Sequence, residues 1–185
     1  MAILGKKVNE KYHGQLPLLV KFIDAKCDLS IQVHPNDEMA MREHGKMDKS
    51  EMWYVIKADD GAHLYAGFKQ EITPEEYQQR IADGTITEVI ADHQVKAGDV
   101  FYLPAGRVHA ICGGILLAEV QQSSDVTYCI FDYNRPAMDG KPLELHTELQ
   151  RKLWIIMWKT TIAQNTTRVR TRLYRSSTHP ISVCA

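Results

Sequence analysis

The segment Gly98-Asp-Val-Phe-Tyr-Leu-Pro104-Ala-Gly106-Arg-Val-His109 decides the fold class. Its first two residues favour a tight turn, because glycine adopts backbone angles that are closed to other residues. Residues 100–103 form a short β-prone run, which Pro104 and Gly106 end just before His109. This order of turn, strand, turn and strand directs one imidazole into the mouth of a β-barrel. A lone histidine is more often a structural group than a ligand, so its meaning depends on residues elsewhere.

Further strands surround this segment. Residues 16–25, 29–34, 49–56, 63–68, 86–90, 92–95, 111–121 and 126–133 are apolar or alternating and are separated by turn residues. Thr73 and Pro74 begin a predicted helix that ends near Gly84, and residues 35–45 resemble a short helix or loop. Many short strands with few helices predict an all-β barrel or jelly roll with one or two short helices inserted.

Three polar residues upstream in the sequence could form a site together with His109. In the alternating strand 29–34, Gln32 and His34 share a face, either toward solvent or into the barrel. In the next strand, Glu51 shares a face with large apolar residues, where a buried carboxylate needs a cation or hydrogen-bond partners. The alternative for Glu51 is an exposed position at the start of its strand. If all four residues converge, they form a nitrogen and oxygen ligand set that suits Zn²⁺, and also Mn²⁺, Fe²⁺ or Co²⁺.

Composition limits the possible classes of protein. The 185 residues suit one domain, or one domain with an appendage, and no apolar run is long enough to span a bilayer. The N-terminal residues lack the pattern of a signal peptide. The four cysteines are scattered without a CxxC pair, which is typical of a reduced chain, and we expect a cytoplasmic location. We expect no nucleic-acid or membrane partner, and the sequence leaves the oligomeric state open.

The charge distribution changes near residue 150. Residues 151–185 contain seven basic and no acidic residues, whereas residues 1–150 contain fifteen basic and 23 acidic ones. We therefore expect a metal-binding barrel over residues 1–149 and a basic tail over 150–185. The tail has three interpretations: an arm for nucleic acid or membranes, a solvated extension, or translation out of frame. The third is favoured, and it predicts a tail that packs poorly and adds no site residue.

The frame around His109 resembles the second signature of the cupin barrels, in which this histidine is a metal ligand. Gly113 replaces the final asparagine of that signature. Four motifs in order resemble the type I mannose-6-phosphate isomerases more closely, especially the short bacterial form, over roughly residues 14–148. These motifs are Leu29-Ser-Ile-Gln-Val-His-Pro-Asn-Asp, Lys49-Ser-Glu-Met-Trp-Tyr, Leu103-Pro-Ala-Gly-Arg-Val-His-Ala and the pair Glu119-Val-Gln-Gln-Ser-Ser-Asp and Tyr128-Cys-Ile-Phe-Asp-Tyr-Asn-Arg.

The resemblance implies one zinc ion per chain, with Gln32, His34, Glu51 and His109 as its ligands. It also implies that Lys49 and Glu119 lie near a sugar phosphate substrate. Cys129 stands where the family has an arginine that is treated as catalytic. The chain also begins later than family members and leaves their pattern after Leu149, so we expect a truncated catalytic domain.

The implied reaction interconverts mannose 6-phosphate and fructose 6-phosphate through an enediol, and we expect it to be impaired here. A thiol cannot supply the fixed positive charge that an arginine would hold over the enediolate. Glu119, a metal-bound water and a histidine remain open as the general base. A metal-binding cupin that binds a sugar phosphate without turning it over is the alternative. An iron-dependent cupin oxygenase is less favoured, because the ligand spacing differs from the close His-x-His of that class.

Overall fold

A computed structural model describes residues 4–47 and 49–135, together with the backbone of residues 169–170. The α-helices are α1 (Gly5–Lys11), α2 (Asp37–His44) and α3 (Pro74–Ala82), and a 3₁₀ turn spans Ile86–Val89. The strands are β1 (Leu18–Ala25), β2 (Ile31–Val33), β3 (Glu51–Ala58), β4 (His63–Phe68), β5 (Ile90–Gln94), β6 (Asp99–Leu103), β7 (His109–Ile111), β8 (Ile115–Gln122), β9 (Tyr128–Phe131) and β10 (Val169–Arg170).

The strands form two five-stranded sheets. Sheet 1 has the order β1-β8-β3-β6-β10, and sheet 2 has the order β5-β4-β7-β2-β9. The paired strands run antiparallel, as expected for a jelly roll built from hairpins and crossovers. The predicted all-β, cupin-type jelly roll is confirmed, with three α-helices in the described part of the chain rather than one or two.

Two apolar clusters hold the sheets and helices together. The first lies between the sheets and includes Val55, Leu64 and Leu117, all fully buried. The second packs α2 and α3 against the outer side of sheet 2 and includes Met39 and Tyr77. Alternation along the strands assigns neighbouring side chains to opposite sides of each sheet, so one side of sheet 2 faces the barrel and the other faces the helices.

Local sequence explains the helix ends. Asn36 accepts a hydrogen bond from the backbone N–H of Met39 at 3.1 Å, and Thr73 accepts one from Glu76 at 3.1 Å. Each cap satisfies a backbone donor that the first helical turn leaves unpaired. Gly45 ends α2 with a positive φ of 64°, a conformation that favours glycine.

The strand predicted over residues 86–90 is wrong for its first four residues. They form the 3₁₀ turn, in which the backbone N–H of Glu88 donates to the carbonyl of Thr85 at 3.0 Å. Ile86 and Val89, three residues apart, are both buried on one side of this turn. A spacing of three matches the period of a 3₁₀ helix, which the short apolar run did not distinguish from strand alternation.

The tail lies almost entirely outside the described residues. Of the predicted tail 150–185, the structure describes the backbone of β10, which pairs with the edge of sheet 1 through Val169 opposite Val100 and Arg170 opposite Asp99. The division at residue 150 and the poor packing expected of the tail stay predictions. No helix in the described part of the chain is long and apolar enough to cross a membrane.

Candidate metal centre

Three strands bring polar side chains to one end of the barrel. Gln32 lies in β2 and pairs directly with His109, the first residue of β7. His34 follows β2 immediately and is on the same strand face as Gln32. Glu51 begins β3 on the opposite sheet, where it pairs with Gln121. Strand register therefore collects the four residues that the resemblance implied as ligands at the same barrel mouth.

Glu51 is the centre of this cluster. Its Oε1 lies 3.1 Å from His34 Nε2, and its Oε2 lies 3.7 Å from His109 Nε2. One ligand atom from each of the three residues lies within 4.8 Å of the other two, and all three residues are buried. Gln32 Nε2 lies 3.2 Å from His109 Nε2. A single ion at this point could contact all four side chains.

The hydrogen bonds of the two histidines determine which ring nitrogens are available. His34 Nδ1 lies 3.1 Å from the Val126 carbonyl, and His109 Nδ1 lies 2.8 Å from the Arg107 carbonyl. A carbonyl only accepts, so in each neutral imidazole Nδ1 carries the hydrogen and Nε2 keeps its lone pair. Both lone pairs then point toward the carboxylate of Glu51. Three acceptors facing one another repel, and a cation between them removes the repulsion. Backbone carbonyls that orient histidines in this way are typical partners of metal-bound imidazoles.

The electrostatics of the cluster favour the ionised carboxylate and a neutral imidazole. Burial opposes ionisation of Glu51, but positive charge at His34, His109 and Lys49 outweighs it and holds the pKa of that carboxyl well below its usual range. A cation bound between neutral imidazoles would supply the same positive charge. Burial, followed by the neighbouring His34, lowers the pKa of His109 to about 4. His109 is therefore neutral at neutral pH and keeps the lone pair that a metal needs.

The Gln32 amide fits the same role after a simple change of orientation. Its nitrogen faces Nε2 of His109, which offers a lone pair in the tautomer described above. The oxygen and nitrogen of an amide exchange places on a 180° turn, and the two orientations are distinguished by their hydrogen bonds. With a cation present, the orientation that turns the oxygen toward it is favoured. The donor set of two imidazoles, one carboxylate and one amide oxygen fits a divalent transition metal.

Lys49 and Glu119, which the resemblance implied to be near the substrate, lie beside this cluster. Lys49 Nζ is 2.8 Å from Glu51 Oε1, and the side chain is almost fully buried. Glu119 is also buried, and its Oε1 lies 2.9 Å from the Nζ of Lys21. Each of these two buried charges contacts an opposite charge: Lys49 contacts Glu51, and Glu119 contacts Lys21.

Sequence reasoning missed two residues that join these groups. The indole N–H of Trp53 donates to Glu51 Oε2 at 3.0 Å and to Glu119 Oε2 at 3.1 Å. Lys21 Nζ contacts both Glu119 Oε1 and Gln121 Oε1, the latter at 2.5 Å. Alternation alone placed Trp53 on the face of Glu51, but its two partners required the pairing of β3 with β8. The signal for Lys21 was a charge between two apolar residues, Val20 and Phe22, of a predicted strand.

Cys129 lies opposite Gln32 in the pairing of β2 with β9. Burial raises the pKa of its thiol, so the side chain is uncharged at neutral pH. Arg135 does not replace the missing charge. Its guanidinium donates to the Asp28 carbonyl at 2.6 Å and forms an ion pair with Asp132.

Sequence comparison finds similarity to one family of isomerases. A family model for the catalytic domain of type I phosphomannose isomerase matches residues 1–60. The chain is 45% identical over 133 residues to the probable mannose-6-phosphate isomerase GmuF of Bacillus subtilis, and 47% identical over 133 residues to ManA of the same organism. Each of these two alignments covers 71% of this chain.

The fold comparison agrees with the sequence comparison. The crystal structure of a mannose 6-phosphate isomerase from Bacillus subtilis superposes with a TM-score of 0.70 at 36% sequence identity, covering 76% of this chain and 45% of that one. Each of the two Bacillus relatives matched by sequence is covered over 42% of its length. The chain thus spans less than half the length of these isomerases.

Proposed function

We propose that this chain forms the zinc-binding barrel of a type I mannose-6-phosphate isomerase. The arrangement of Glu51 between two imidazoles carries the proposal, because both rings direct an available Nε2 to the same carboxylate. The identity to several isomerases over 133 residues supports the substrate, a hexose 6-phosphate. The reaction is the interconversion of mannose 6-phosphate and fructose 6-phosphate.

The ligands of one zinc ion would be Gln32, His34, Glu51 and His109. Zinc accepts imidazole nitrogen and carboxylate oxygen together and has no redox chemistry, which suits a proton-transfer reaction. When bound, it would supply Lewis-acid polarisation and a template for sugar oxygens. Lys49, which is the charged donor in direct contact with Glu51, would hold an anionic part of the substrate.

The reaction moves a proton between C2 and C1 of the sugar, and a carboxylate is a suitable carrier. Both histidines direct their Nε2 atoms to Glu51, and their Nδ1 atoms are occupied by backbone carbonyls. Glu119 is thus the strongest candidate for the proton carrier among the described residues of the mouth. Trp53 and Lys21 hold its two oxygens, which fixes the direction of the carboxylate relative to Glu51.

A second function is favoured by Cys129. The position lies on the strand next to Gln32 and carries no charge, and Arg135 is bound elsewhere. A barrel that binds zinc and a sugar phosphate without turning it over would have this arrangement. We expect the unmodified chain to be a poor isomerase, because loss of one oriented donor costs roughly a hundred- to a thousandfold in rate.

The test combines metal analysis with an isomerase assay on the same preparation. One equivalent of zinc per chain with measurable turnover of mannose 6-phosphate supports the isomerase. One equivalent of zinc with saturable sugar phosphate binding and no turnover supports the non-catalytic barrel. Absence of zinc after growth and refolding with excess zinc would contradict both.

A further inference from the structure

The outer side of sheet 1 has the composition of a buried surface. We call it the outer face, and it is formed by the side chains of β1, β8, β3 and β6 that point away from the barrel interior. Strand pairing arranges these side chains in rows that cross all four strands. Neither of the two central rows contains a charged or amide side chain. The rows are Val20, Val120, Met52, Tyr102 and Phe22, Ala118, Tyr54, Val100.

The outer face is also exposed, unlike the other apolar surfaces of the fold. Phe22 is 74% exposed and Val20 is 56% exposed. The inner side of sheet 1 packs against sheet 2, and the outer side of sheet 2 packs against α2 and α3. Contiguous exposed apolar patches mark binding surfaces, whereas single exposed apolar residues do not. The outer face is therefore a candidate interaction surface.

Two opposite charges lie at one end of the outer face. Asp24 pairs with Leu116, and Leu116 pairs with Lys57, so the two charged side chains share one row on either side of β8. They are two strand spacings apart, about 10 Å, which is too far for an ion pair within one chain. Lys57 is exposed and lies 3.5 Å from Asp59. An apolar centre with charges at its rim is the usual anatomy of a protein–protein interface.

We propose that the outer face binds the outer face of a second copy of this chain, around a two-fold axis that runs along β8. This axis places β1 of each copy opposite β3 of the other copy. Asp24 of each copy then faces Lys57 of the other, and Phe22 faces Tyr54. Two sheets pack about 10 Å apart with their strands nearly aligned, a gap that an aspartate and a lysine from opposite sheets can bridge.

The charges select this axis over its neighbours. An axis along β1 would bring the two Asp24 side chains together, and an axis along β3 would bring the two Lys57 side chains together. Like charges in contact oppose association, whereas the axis along β8 forms two opposite-charge contacts in each dimer. A partner with a different surface would have to match both the apolar rows and the order of the two charges. The outer face itself meets both conditions.

The size of the overlap sets the expected strength of the dimer. Three strands of each copy overlap, over about 14 Å across the strands and about 26 Å along them. Such an area belongs with small, transient interfaces, so we expect a dissociation constant in the micromolar range. Formation of this dimer does not depend on the proposed isomerase activity.

Sedimentation velocity of the full-length protein tests for the dimer. We expect the mass to rise from one chain to two across the micromolar range. Phe22→Glu should raise the dissociation constant at least about a hundredfold, because each dimer contains two copies of the substitution. Met41→Glu is the control, since Met41 is 57% exposed in α2, outside the outer face. A mass of one chain at every concentration, or an unchanged dimer in Phe22→Glu, would overturn the proposal.

Exchanging the two rim charges tests the position of the axis. Asp24→Lys and Lys57→Asp should each weaken the dimer about tenfold, because two contacts per dimer then carry like charges. An equal mixture of these two variants should associate as strongly as the unmodified chain, since opposite charges face each other again in the mixed dimer. Glu38→Lys, at an exposed position of α2, should have no effect. A mixture that associates no more strongly than either variant alone would overturn the proposal.

Methionine oxidation by hydrogen peroxide tests the same surface without any substitution. Met52 lies in the outer face and is 40% exposed, and Met41 lies outside it. We expect Met52 to become protected relative to Met41 as the protein concentration rises through the dissociation constant, while Met41 oxidises at a constant rate. Protection of Met52 at every concentration would mean that a single chain covers its own outer face. That result, or equal oxidation of Met52 at all concentrations, would contradict the proposal.

Discussion

The two ends of the barrel interior are built on the same strands but have opposite chemistry. On β8, Ile115 and Leu117 are fully buried at one end, and Glu119 and Gln121 are nearly as buried at the other. Alternation is equally regular along the whole strand, so burial alone does not distinguish the two ends. Charged groups cost several kcal/mol to bury without partners, whereas apolar groups stabilise the fold when buried. The apolar end therefore contributes more to stability than the polar end, which contains the candidate metal site.

We expect the largest effect of a substitution at the polar end on zinc affinity when the Glu51 carboxylate is removed. We expect Glu51→Gln to lower zinc affinity by more than the ~10–100-fold that loss of a partner of a ligand costs, since a ligand and its charge are both lost. Competition with a chromophoric chelator measures the affinity. Glu38→Gln is the matched control, because Glu38 is highly exposed in α2. Unchanged zinc affinity in Glu51→Gln would show that the metal binds elsewhere.

At the apolar end, we expect a substitution to lower stability and to leave zinc binding unchanged. Leu117→Ala removes a fully buried side chain between the sheets and should lower the free energy of unfolding by about 2–5 kcal/mol. Zinc stoichiometry should stay at one per chain, because Leu117 lies away from the ligands. Urea denaturation of the zinc-loaded protein measures the first quantity, and metal analysis measures the second. If Leu117→Ala lost zinc without losing stability, the apolar end would contribute to metal binding and not only to stability.

The positions of the ligand residues could be predicted from sequence only in part. Strict alternation put Gln32 and His34 on one face and Glu51 among apolar residues, so local spacing was sufficient for the orientation of each. Lys21 and Trp53 could not be assigned to the site in this way. Lys21 reaches Glu119, 98 residues away, only through the pairing of β1 with β8. Long-range strand register depends on the packing of the whole barrel and leaves no local pattern in the sequence.

Long-range strand register also limits what the sequence alone can say about Cys129. Its place in the sequence of the resembling family assigned it to the site, but the pairing with Gln32 comes from the register of β2 and β9. That register contains an irregularity between Ile31 and Gln32, which a pattern of alternating residues does not reveal. The 3₁₀ turn at Ile86–Val89 is a second case, because a four-residue apolar run suits several structures equally well.

Cys129→Arg tests whether a fixed positive charge completes the polar end. We expect kcat/KM for mannose 6-phosphate to rise by roughly a hundred- to a thousandfold, because an oriented cation would stabilise the enediolate. Cys129→Ser is the matched control, since it alters the side chain without adding charge, and its turnover should equal that of the unmodified chain. Zinc content is measured in all three proteins. High turnover by the unmodified chain, or no gain in Cys129→Arg at full zinc content, would show that this position does not have the catalytic role.

Trp53 gives the smallest expected effect and the sharpest test of how the polar end is organised. Its indole N–H contacts both Glu51 and Glu119, so Trp53→Phe removes one donor shared by two buried carboxylates while keeping an aromatic ring in place. We expect zinc affinity to fall by about 10–100-fold, the range for loss of a partner that orients a ligand. Chelator competition measures the affinity, and thermal unfolding of the metal-free protein measures stability.

A loss of packing could lower zinc affinity indirectly, and Phe101→Leu separates the two causes. Phe101 is fully buried and pairs with Trp53 across β3 and β6, so its substitution disturbs the same part of the core without removing a donor. If the indole N–H orients Glu51, then Phe101→Leu should lower the melting temperature with little change in zinc affinity, and Trp53→Phe should lower both. Equal zinc affinities in the two variants at equal stability would mean that Trp53 acts through packing alone. In that case the orientation of Glu51 depends on Lys49 and the two imidazoles, which are its other contacts in the described mouth.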